Sequence, residues 1–159
     1  MPGNFYKFVS KNNFTDKTMF SILESHTADI GIEVSGQTLE ELFQEAARGW
    51  KALVLEDAKT EGKETQIIHL EAEDINDLLV QWLSELNFLL TTRQWVFHEV
   101  ESIKIDTSKK PVELLATITG EPFQNSKHYI YFDIKAVTYH QLNIQQNSNG
   151  YSTRVIFDI

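Results

Sequence analysis

Cysteine is absent from the 159-residue chain. That excludes disulfides, thiolate-bound zinc, iron–sulfur clusters and thiol nucleophiles. Glycine is scarce, with seven in all, and none stands in a GxGxxG or GxxxxGK[ST] run. The chain therefore carries no standard cradle for nucleotide phosphates. The five histidines, His26, His69, His98, His128 and His140, never fall at HxxxH or HExxH spacing. A His-rich transition-metal site is thus not written into local spacing. No GxSxG marks a nucleophile elbow. No apolar run approaches the ~20 residues of a membrane span. The N-terminal MPGNFYKFVSKNNF has no apolar signal-peptide core. The expectation is a cytoplasmic protein without membrane contact. Positive charge is also short: 14 Lys and Arg stand against 23 Asp and Glu, a formal net charge of −9. A broad phosphate-binding surface needs clustered Lys and Arg, so direct gripping of nucleic acid is not expected. An acidic surface suits a basic protein or a cation; solubility alone also accounts for it.

What is present reads as one domain over residues 1–159, long enough for a core. Thr38-Leu-Glu-Glu41 has capping-box spacing. Leu39, Leu42, Phe43, Ala46, Ala47, Trp50, Leu53 and Val54 then follow at three- and four-residue steps, with Glu40, Glu41, Gln44, Glu45, Arg48 and Lys51 mostly off the stripe. A second helix starts near Asp74, with Ile75, Leu78, Leu79, Trp82, Leu83 and Leu86 in the same rhythm. Acidic residues at its start complement the helix dipole. Such aromatic stripes are core rather than cofactor box. Strands are expected over 19–24, 30–34, 65–71, 95–105, 112–119 and 129–139. Residues 142–145 and 151–157 should form a hairpin across Gln146-Asn-Ser-Asn-Gly150. Gly120-Glu-Pro-Phe123 reads as a turn. The order implies an α+β fold: a largely antiparallel or mixed β-sheet with two amphipathic helices packed on one face.

Three places could carry chemistry. In His26-Thr-Ala-Asp29-Ile-Gly-Ile-Glu33 a carboxylate stands at the entrance of an apolar strand. It needs water, a turn to cap, or a partner. The chain ends Arg154-Val-Ile-Phe-Asp158-Ile159, so the Asp158 side chain and the Ile159 α-carboxylate are neighbours. Adjacent carboxylates cost energy unless solvated or neutralised by a cation, and hard oxygens suit Ca²⁺ or Mg²⁺. A solvated chain end is the plainer account. In Asp133-Ile-Lys135-Ala-Val-Thr-Tyr-His140, Lys135 lies inside an apparent strand and needs solvent or a carboxylate. His140 and His26 are compatible with ordinary hydrogen-bonded histidines.

These segments, taken in order with Thr38-Leu-Glu-Glu41-Leu-Phe43, Asp77-Leu-Leu-Val-Gln-Trp82-Leu-Ser-Glu85-Leu and Gly120-Glu-Pro-Phe123, resemble the archease family over most of the chain. The first 18 residues carry no distinctive match. The stretch after Lys127-His128, Tyr-Ile-Tyr-Phe, departs from the basic, proline- or glycine-containing family pattern. Archeases are protein cofactors of the RtcB-type RNA ligase. The resemblance implies a non-enzymatic activator that promotes GTP-dependent guanylylation of that ligase and multiple turnover in tRNA splicing and RNA repair. It also implies a compact α+β domain and a bound divalent metal, calcium in most cases, held by Asp29, Asp158 and the terminal Ile159. His26, Lys135 and His140 are then candidates for orienting those carboxylates or contacting the partner. Two other readings stay open: a metal-dependent hydrolase using Asp29, Asp158 and a histidine, and a chaperone or modulator of a tRNA methyltransferase.

Overall fold

The computed structural model describes residues 7–9, 19–24 and 29–159. Its strands form two antiparallel sheets, where one sheet was expected. The larger runs β1 (Lys7–Val9), β2 (Met19–Glu24), β3 (Asp29–Gly36), β9 (Gly150–Asp158) and β7 (Ala136–Val137), with the short β8 (Gln145–Asn147) also on β9. The smaller is β4 (Glu64–Ala72), β6 (Val112–Pro122) and β5 (Trp95–Asp106), with β6 in the middle. One helix packs on each. Helix α1 (Leu39–Leu55) lies against β2, β3 and β9 and reaches β5; α2 (Ile75–Thr91) lies against β4, β5 and β6 and reaches β7. None of the described helices is long and apolar enough to cross a membrane.

Both helix starts are fixed by side chains close in sequence. The Glu41 amide donates to Thr38 Oγ1 (3.1 Å), while the Gln37 amide donates to Glu41 Oε2 (2.8 Å). The Asp77 amide donates to Asp74 Oδ1 at 2.8 Å. These bonds satisfy backbone donors that a helix start leaves without partners. Leu42, Phe43, Ala46, Ala47, Trp50, Leu53 and Val54 of α1 meet Leu78, Leu79, Trp82, Leu83 and Leu86 of α2 in one core with Ile30, Ile32, Val155 and Phe157 of the larger sheet and Leu114, Ala116 and Ile118 of the smaller. Within that core the Trp82 indole N–H donates to the Phe43 carbonyl at 2.9 Å. Glu45 departs from its expected polar face. It is buried, and Arg48 bonds its Oε1 at 2.7 Å.

The expected strand over 129–139 is reduced to Ala136–Val137. Its alternation survives: Ile130, Phe132 and Ile134 pack on the core while Tyr129, Tyr131 and Asp133 are exposed. The Tyr131 amide donates to the Val54 carbonyl at the end of α1, not to a neighbouring strand. The hairpin is present but shorter, with Asn147 opposite Gly150. Gly150 has φ +126°, a conformation that disfavours any other residue.

Candidate functional site

β3 and β9 run antiparallel with Asp29 opposite Asp158, Gly31 opposite Ile156 and Glu33 opposite Arg154. Residues directly opposite in an antiparallel pair project to the same side, and alternate rungs share that side. One face of this ladder therefore carries two charged rungs. At the inner one Arg154 Nη2 meets Glu33 Oε1 at 2.6 Å, so opposite charges pair. At the outer one two aspartates oppose each other. Like charges directly across a ladder destabilise it unless something neutralises them. Gly31 lies between the rungs. A Cβ there would come within 2.6 Å of the Val155 carbonyl oxygen and 2.8 Å of Ile156 Cδ1, so the strands approach closely at this point because glycine occupies it.

The outer rung has a third member. Ala136 of β7 lies opposite Asp158 from the other side, and the Lys135 amide donates to the Asp158 carbonyl at 2.8 Å. Lys135 is exposed, and the backbone beside it is what the structure fixes at this rung. The Ile159 side chain packs on the core, which anchors the last residue next to Asp158. His140 lies further along, exposed in the turn after β7, with its amide donating to Thr138 Oγ1 at 3.3 Å. His26 is outside the described residues.

A second polar cluster was not evident from sequence. Gly120-Glu-Pro is the end of β6 rather than a turn: Glu121 pairs with Val96 and Pro122 with Trp95. Glu121 is fully buried. Lys127 Nζ donates to both its oxygens, at 2.8 and 3.1 Å, and also to Glu61 Oε1 at 3.1 Å; the Glu61 amide donates to Glu121 Oε2 as well. Burial pushes the Glu121 carboxyl up, but the hydrogen bonds from Lys127 and the Glu61 amide outweigh it and hold the group below the usual range. The same hydrogen bond to Glu121 raises Lys127. His128 is buried beside them, with Nδ1 accepting from the Gln124 amide at 3.0 Å and Nε2 3.7 Å from Glu121 Oε1. Burial lowers its pKa, only partly opposed by the Glu121 charge. The Gly-Glu-Pro segment offered one hint, a charged residue flanked by glycine and proline, but its burial depends on Lys127 and the distant Glu61.

Among the described residues, one trio combines a histidine with carboxylates in metal-binding reach: His69, Glu71 and Glu113, whose ligand atoms all lie within 4.8 Å of one another. It lies on the outer face of the smaller sheet, away from the aspartate rung.

Residues 20–159 match the model of the archease protein family. The chain belongs to the archease family. A "Protein archease" of Methanosarcina mazei is 35% identical over 136 residues, covering 84% of this chain and 92% of that protein. Another, of Pyrococcus abyssi, is 35% identical over 125 residues, covering 79% and 87%. The fold agrees. The solution structure of Methanobacterium thermoautotrophicum Protein 1598 superposes with a TM-score of 0.72 at 30% identity, covering 88% of this chain and 98% of that one. A Thermotoga maritima structure described as an archease and possible chaperone gives a TM-score of 0.55 at 23% identity, which bears on fold alone. The matched archease region includes both aspartates of the outer rung, the Glu121 cluster and the His69 trio.

Proposed function

We propose that this archease-family protein is a non-enzymatic activator of an RtcB-type RNA ligase. It promotes GTP-dependent guanylylation of the ligase and multiple turnover in tRNA splicing and RNA repair. It acts in the cytoplasm as one domain, through protein contact, without a membrane and without gripping RNA broadly. Family membership supports the partner, and the absence of a phosphate loop from the sequence fits a helper that leaves GTP chemistry to the ligase.

The observation that carries the site is the register of Asp29 against Asp158. Two carboxylates on one rung, with an α-carboxylate one residue on, form a set of hard oxygen donors. That set fits a divalent cation, calcium in the family's manner. In this reading Asp29, Asp158 and the Ile159 carboxylate hold it, and the cation supplies positive charge that lets an otherwise repulsive acidic tip dock on the ligase. Lys135, whose amide is tied to the Asp158 carbonyl, His140 and His26 orient the tip or touch the partner.

The test is ligase guanylylation with GTP in the presence of the wild-type protein, of Asp29→Ala, and of a variant with one residue added after Ile159. Stimulation should fall at least tenfold in both variants, with circular dichroism unchanged. Full stimulation by both would overturn the site. Hydrolysis of phosphoesters by the purified protein alone, lost in Asp29→Ala, would assign the same carboxylates to a hydrolase.

A further inference from the structure

Glu71 of β4 is directly opposite Glu113 of β6, and His69 stands two residues before Glu71 on the same strand. The β4 odd-numbered residues Thr65, Ile67, His69 and Glu71 are all exposed, while Ile68 and Ala72 are buried. His69, Glu71 and Glu113 therefore project from the outer face of one rigid ladder. His69 Nε2 is 3.5 Å from Glu113 Oε1 and 4.0 Å from Glu71 Oε1. Lys109 also contacts Glu113, but through the other oxygen, Oε2, at 2.8 Å. It thereby fixes the carboxylate and leaves Oε1 turned to the imidazole.

From this arrangement we propose a second cation site, built for zinc or a similar first-row metal and separate from the aspartate tip. The donor set decides the metal class. Calcium and magnesium take oxygen alone, whereas an imidazole with two carboxylates suits zinc, cobalt or nickel. Size agrees. Ligands bound at about 2.1 Å in a tetrahedron stand about 3.4 Å apart. The His69–Glu113 separation already meets that spacing; Glu71, 4.0 Å from His69 and within 4.8 Å of the other ligand atoms, must close by about 0.6–1.4 Å, within reach of a rotation of its exposed side chain. Water fills the fourth position. The metal also neutralises a like-charge cross-strand pair, so it staples β4 to β6. Leu115, directly opposite His69 on the same face, is half-exposed and places an apolar side chain beside the trio.

The experiment uses the untagged, metal-free full chain and Zn²⁺ itself, titrated calorimetrically. Wild type should bind one zinc at this site. His69→Ala and Glu113→Gln should each weaken that binding at least tenfold, and Asp29→Asn should leave it unchanged. Backbone amide NMR shifts on adding Zn²⁺ should centre on residues 69–71 and 112–114. A hundredfold excess of Ca²⁺ should not displace the metal. Zinc affinity unaffected by His69→Ala, shifts centred elsewhere, or loss of the site in Asp29→Asn would each overturn the proposal. Because the aspartate tip is read separately through ligase guanylylation, failure of either site leaves the other standing.

Discussion

Replacing Asp158 with asparagine should stabilise the protein in chelator and leave it the less stable of the two in calcium. The structure sets the size of each effect. Directly opposed residues have Cβ atoms about 5 Å apart. Two unit charges at about that distance repel by about 0.8 kcal/mol in a water-like dielectric, within the 0.2–1 kcal/mol typical of cross-strand pairs. At about 2–4 °C per kcal/mol for a chain of this size, Asp158→Asn should melt about 1–4 °C above wild type in EDTA. Calcium at about a hundredfold its wild-type Kd adds about 2.7 kcal/mol to the native state, which raises the wild-type midpoint by about 5–11 °C. The variant, with one charged donor replaced by a neutral amide, should gain little. The two melting curves therefore change order between chelator and calcium, which a simple loss of packing cannot produce. Differential scanning calorimetry in both buffers reads it directly. A variant that melts below wild type in EDTA, or gains as much from calcium, refutes the reasoning.

Two further outcomes follow from the fold. His128 has a lowered pKa, so as pH falls below about 6.5 the unfolded chain takes up a proton that the native state refuses, and stability drops until the native pKa is reached. Glu121, depressed by Lys127, extends the loss further into acid, because its contribution is present above the unfolded carboxylate value and disappears as pH falls through the native one. A Tm-against-pH series should show both stages, and His128→Gln should flatten only the upper one; an unchanged slope there would contradict the assignment. Gly31→Ala forces a methyl group against the Val155 carbonyl and should cost about 1–3 kcal/mol, measured by urea denaturation, whereas a cost near zero would show that β3 and β9 can separate at this rung without penalty.

The helices were legible because their determinants are local. Thr38 and Asp74 reach amides three residues on, and the apolar stripes repeat within a turn or two. Sheet membership was not, since pairing depends on residues far apart in the chain. Nothing in Thr65–Glu71 announces that it joins β6 rather than β3. Residues 129–139 show the limit of periodicity: their alternation is real, yet the Tyr131 amide goes to Val54 and a ladder forms only at Ala136–Val137. From the residues alone, Asp29 was a single carboxylate at a strand entrance and Asp158 had only the neighbouring Ile159 carboxylate; the family resemblance grouped them, and it is the β3–β9 register that sets Asp29 and Asp158 on one rung. Glu121 was hidden for the opposite reason. Glycine and proline around it suggest a turn, while Lys127 and Glu61 make its burial tolerable.

The indole of Trp82 bonded to the Phe43 carbonyl has a mechanical consequence. Each helix packs mainly on its own sheet, so the helix–helix seam is where the halves of the molecule would roll past one another. A hydrogen bond is directional, and this one is enclosed by apolar side chains that offer no replacement partner. Turning α2 about its axis would break the bond and pull Trp82 from its seat together. The two sheets are thus keyed to each other like a shaft and its collar. A cation bound on the larger sheet and one bound on the smaller would ride on a single frame, at a separation that neither can change alone.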